Sequence, residues 1–127
     1  MLKVQIMTDR QITDEVNESL KTNFKQLWWI AVIDNSVDKN DADMYYAFED
    51  EIRERYNVDY LGLAKKHYSN VENSSEIYPH DENYFDTFKN AYNCAKELIY
   101  LLSEEHECNQ HVFRERKNKR NYNIMYI

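Results

Sequence analysis

The chain has 127 residues, a mass of 15.5 kDa and a formal charge of −7, with 16 Lys and Arg against 23 Asp and Glu. That length predicts one domain over 1–127 with its own core, and 43% hydrophobic residues with one Gly and one Pro exclude disordered, collagen-like and linker character. The longest apolar run, Leu27 to Ile33, is too short for a membrane-spanning helix, which needs about 20 residues.

Leu2 to Met7 predicts a short strand, with Val4 and Ile6 on one face. Thr13 is expected to cap a helix over about 13–25, because Asp14 and Glu15 then fall in its first turn, where the helix dipole favours negative charge. Ile12, Val16, Leu20 and Phe24 recur every four residues along it. Leu27 to Ile33 is β-branched and aromatic, the signature of a strand buried on both faces. Strand, helix and strand in this order suggest a βαβ-like unit, with a right-handed crossover if the strands are parallel.

Asp34 to Asp41 reads as a polar loop. Asp41 or Asp43 is expected to cap a second helix carrying Met44, Phe48, Ile52 and Tyr56 at a spacing of four and stopping at Asn57. Asp59 to Tyr68 reads as a short helix interrupted by Gly62, and Ser69 to His80 as a loop. Residues 81–105 give the clearest periodicity, with Phe85, Phe88, Tyr92, Ala95, Ile99 and Leu102 on one stripe of a long helix. Gln110 to Lys117 and Arg120 to Ile127 read as a C-terminal hairpin turning at Asn118-Lys119. The expected fold is α+β (or α/β): about three helices on a sheet of three or four strands.

Charge is uneven. Residues 31–60 hold nine acidic and three basic side chains. On the expected second helix, Asp43, Asp50 and Glu54 share one side. Such a face projects a negative field that can steer the chain onto a basic surface; a solvated helix face, kept soluble by charge, explains the same pattern. Tyr45 and Tyr46 lie among these carboxylates, and Tyr offers large contact area at low entropic cost. Tyr45, Tyr46, Tyr60, Tyr68 and Tyr78 are the tyrosines expected to be partly exposed.

Asp38, Asp41 and Asp43 supply hard oxygen ligands, but without the turning Gly and closing Glu of an EF-hand loop. His106, Cys108 and His111, with Cys94 upstream, are zinc-ligand types at an unfamiliar spacing. Cys94 sits inside a helix pattern, where a small buried hydrophobe is the usual role. No Gly-rich phosphate loop, nucleophile elbow or His-Glu-x-x-His motif is present. The basic run Arg114 to Arg120, between Phe113 and Tyr122, suits phosphate contacts but equally suits a guarded edge strand, and the charge of −7 opposes nucleic-acid binding. The many Tyr, Asn, Lys and Ile residues beside few Ala, Gly and Pro point to an AT-rich genome, such as that of a low-GC bacterium or one of its phages.

The expected function is a small acidic protein-binding inhibitor or interaction module. Its partner would be a basic nucleic-acid-handling protein, for example a host nuclease or defence complex. The expected contact residues are Asp38, Asp41, Asp43, Tyr45, Tyr46, Asp50 and Glu54. No cofactor, metal, direct nucleic-acid contact or membrane contact is expected. The two cysteines form no disulfide framework and the first residues form no apolar leader, so the expected setting is cytoplasmic. The alternatives are a small enzyme or ligand-binding protein using His67, His80, Cys94 or His106, and a homo-oligomer built on Trp28, Trp29 and the C-terminal strands.

Overall fold

The apolar run becomes the inner strand around which the rest is laid. A computed structural model describes residues 1–35, 40–68 and 84–114, with side chains through Cys108. Its elements are β1 (Leu2–Thr8), α1 (Arg10–Leu20), β2 (Trp28–Asp34), β3 (Met44–Tyr46), α2 (Glu49–Tyr56), α3 (Tyr60–His67), α4 (Phe88–Leu102) and β4 (Cys108–Arg114). The fold is α+β, with the described strands in the order β3-β2-β1-β4.

Strand alternation sends the side chains of β1 and β2 into two cores. Leu2, Val4, Ile6, Ile30 and Val32 meet α2, α3 and α4 on one face. Met7, Trp29, Ala31 and Ile33 meet Val16, Ile12 and Leu20 of α1 on the other. The expectation of a strand buried on both faces is met.

The parallel βαβ unit is not formed. β1 and β2 are antiparallel, in register from Leu2 opposite Asp34 to Thr8 opposite Trp28, and the parallel neighbour of β1 is β4. The chain therefore leaves and re-enters the sheet at the same end. Residues 21–27 fold back along α1, and buried and part-buried polar groups hold them there. Asn17 Nδ2 donates to the Phe24 carbonyl at 2.8 Å, while its Oδ1 accepts from the Phe24 N–H at 3.0 Å and the Thr22 hydroxyl at 2.9 Å. The Thr8 hydroxyl donates to the Leu27 carbonyl at 2.8 Å.

Helix α1 also starts earlier than expected. Asp9 is the cap, its Oδ1 accepting from the Ile12 N–H at 3.1 Å, so Asp14 and Glu15 lie beyond the first turn. Thr13 is buried one turn inside; its hydroxyl donates to the Asp9 carbonyl and accepts from the Leu27 N–H. With so few glycines, α1 and α2 end on left-handed Lys21 and Asn57, at φ 57° and 56°. Asn57 is the expected stop, and Asn tolerates this conformation better than most residues.

The second helix begins later than its spacing predicts. Met44–Tyr46 is a strand on the free side of β2, with Tyr46 opposite Val32 and Met44 opposite Asp34. Two adjacent tyrosines favour a strand over a helix, and β2 offers an edge to pair with. Asp41 and Asp43 therefore precede a strand and not a helix. At α2, Glu51 Oε1 instead accepts from the Phe48 N–H at 3.2 Å. Only Ile52 and Tyr56 of the expected apolar stripe are buried. Gly62 falls inside α3 without breaking it: its N–H donates to the capping Asp59 carboxylate at 3.1 Å, and a Cβ there would collide with that carboxylate.

The long helix is α4, shorter than 81–105. Phe85 and Trp28 exchange backbone hydrogen bonds of 2.7 and 2.8 Å, which holds the chain extended until Thr87 caps the helix. Ala91, Cys94, Ala95, Leu98, Ile99 and Leu102 form its buried face. Of the expected hairpin, β4 covers residues 110–114 of the first strand, and residues 115–127, with the turn and the second strand, lie outside the described residues. Among the described residues, no helix is long and apolar enough to cross a membrane.

Removing Asn17 strands both backbone groups of Phe24 and frees the returning loop. Asn17→Ala is expected to lower stability by about 1–3 kcal/mol, with Asn17→Asp, which keeps the acceptor, falling between. Urea denaturation followed by tryptophan fluorescence measures both.

Candidate functional site

The acidic segment is laid out around the terminal strand β3. Asp41 and Asp43 precede the strand and are exposed, and Asp38 lies outside the described residues. Tyr45 and Tyr46 point to opposite faces. Tyr45 is 44% exposed, yet its hydroxyl is fixed: it accepts from Trp29 Nε1 at 2.9 Å and donates to Met7 Sδ at 3.2 Å. Tyr46 packs edge-on against Tyr56, centroids 5.9 Å apart, with the Arg55 guanidinium 5.2 Å from its ring centre. Asp50 and Glu54 are exposed on α2 and, four residues apart, share a side.

The expected grouping of Asp43 with Asp50 and Glu54 along one helix is corrected, because Asp43 precedes a strand. The carboxylates instead come in two sets with β3 between them in the chain. Between those sets lie two residues that the helical reading assigned to the core: Met44 is 53% exposed and Phe48 42%. The Tyr45-Tyr46 doublet was the local signal that could have moved them outward. Asp50 also has a local task, since its Oδ1 accepts from the Glu51 N–H at 3.0 Å.

A second feature lies at the other end of α2. Tyr56 is buried, its hydroxyl 3.3 Å from Asp34 Oδ2, and Arg55 pairs with the same carboxylate at 3.7 Å. His106 stands edge-on to Tyr56, centroids 5.4 Å apart. Two shallow hollows, of about 330 and 260 Å3, meet at Tyr56 and His106. Burial first, and then the Asp34 charge, pushes the Tyr56 hydroxyl up to about 12. The phenol stays protonated and ties α2 to the end of β2.

The residues proposed for a His/Cys pocket are described in part. Cys94 is buried in α4, His67 pairs with Glu97 at 3.2 Å, and His80 and the His111 side chain lie outside the described residues. Burial, the main cause, raises the pKa of both Cys94 and Cys108, the reverse of what a nucleophilic thiolate needs. Among the described residues, no three His, Cys, Asp or Glu side chains are placed to hold a metal ion.

Trp28 and Trp29 face opposite sides, as adjacent strand residues must, and serve the chain's own packing. Trp28 meets Phe88 at 5.2 Å and Trp29 meets Tyr84 at 6.1 Å. Tyr60 is fully buried, against expectation, whereas Tyr92 and Tyr100 on α4 are exposed. Tyr78 and most of the basic run Arg114 to Arg120 lie outside the described residues.

The Tyr56 shift has a consequence for stability. A raised folded-state pKa stabilises fully below the unfolded value near 10 and is lost as pH rises through about 12. Tyr56→Phe lacks this loss. The stability advantage of the parent over Tyr56→Phe is therefore expected to shrink by roughly 2 kcal/mol between pH 10 and 12, read from paired urea titrations. Compared with known proteins, the chain matches no family model, no curated protein and no solved structure.

Proposed function

We propose that this chain is a small acidic interaction module that binds a basic, nucleic-acid-handling protein and inhibits it by occupying its phosphate-binding surface. One observation carries the reading: exposed carboxylates at Asp41, Asp43, Asp50 and Glu54 accompany exposed Met44, Tyr45 and Phe48 in one short stretch of chain. Carboxylates placed where phosphates would sit meet the partner's Lys and Arg. The apolar and aromatic surface supplies contact area that charge alone does not. The overall charge of −7 speeds the approach of a basic partner.

The frame under these residues is rigid. Tyr45 is fixed to Trp29 and Met7, and α2 is tied to β2 through Asp34. Tyr45 therefore has little side-chain freedom left for binding to remove, which favours affinity.

The test is capture of partners by the tagged protein from lysate of a low-GC bacterium, followed by titration of the retained protein. Asp41→Lys, Asp43→Lys, Asp50→Lys and Glu54→Lys are each expected to weaken binding, by about fivefold if each contact is worth about 1 kcal/mol. Raising salt from 0.05 to about 0.5 M should weaken the parent more than the variants. Affinities indifferent to both salt and charge reversal would remove this face from the function.

A further inference from the structure

No further inference is drawn: the strongest candidate, the shallow hollow where Tyr56, Asp59, Leu101, Glu104, Glu105 and His106 meet beside the C-terminal end of α4, carries none, because it is a cluster of carboxylates around packed side chains and no second observation among the described residues points to a ligand there.

Discussion

Everything in this fold answers to the need of β2 to be covered on both faces. Trp28, Ile30 and Val32 enter one core and Trp29, Ala31 and Ile33 the other, so a sheet covered on one side only would leave two or three large side chains in water. At about 25 cal/mol per Å2 of apolar surface, each such side chain buried contributes roughly 1.5–3 kcal/mol. Covering both faces demands helices on both. Helix α1 serves one core, and α2, α3 and α4 serve the other. Because α1 is inserted between two antiparallel neighbours, its return loop needs its own polar fastening, which Asn17, Thr13 and Thr8 provide.

The same strand sets out the surface. Its last residue, Asp34, holds Arg55 and Tyr56 and so orients α2. Its free side recruits Met44–Tyr46, which pulls the acidic stretch to the border of the sheet. Helix α2 has Glu49, Asp50 and Glu51 in its first turn and Arg53 and Arg55 in its last, the sense that its dipole favours. Part of the negative charge therefore stabilises the helix, and Glu49 also pairs with Arg53 at 2.8 Å. Asp41 lies outside that arrangement and is exposed.

Much of the frame was legible because periodicity is strong where burial is complete. The alternation in β1, the unbroken apolar run of β2 and the stripe from Ala91 to Leu102 each point to one structure only. Legibility failed where local pattern met a tertiary alternative. Met44, Phe48, Ile52 and Tyr56 have helical spacing, yet a free strand edge beside Met44–Tyr46 outweighed it. Phe85 has the spacing of the long helix, yet its backbone pairs with Trp28. Strand direction was not legible at all, since a helix between two strands fits a crossover or an excursion equally, and the polar contacts of residues 21–27 decide it. The candidate surface was half legible: the acidic residues and Tyr45 stood out in the composition and are exposed where described, whereas the exposure of Met44 and Phe48 was hidden by the wrong period.

The placement of β1 has a consequence for how the chain is made. β1 lies between β2, which follows it closely, and β4, whose Cys108 pairs with Leu2 from on the order of a hundred residues away. On a ribosome adding about 5–20 residues per second, one side of the first strand waits for seconds before its partner emerges. During that interval Leu2, Val4 and Ile6 belong to a strand with an open side and an unfinished core. This is the hazard that contact order describes, concentrated in a strand made well before one of its two partners. Expression as a fusion behind a folded, soluble carrier would leave the interval unchanged, and slower growth at low temperature would lengthen it while weakening the hydrophobic drive to aggregate.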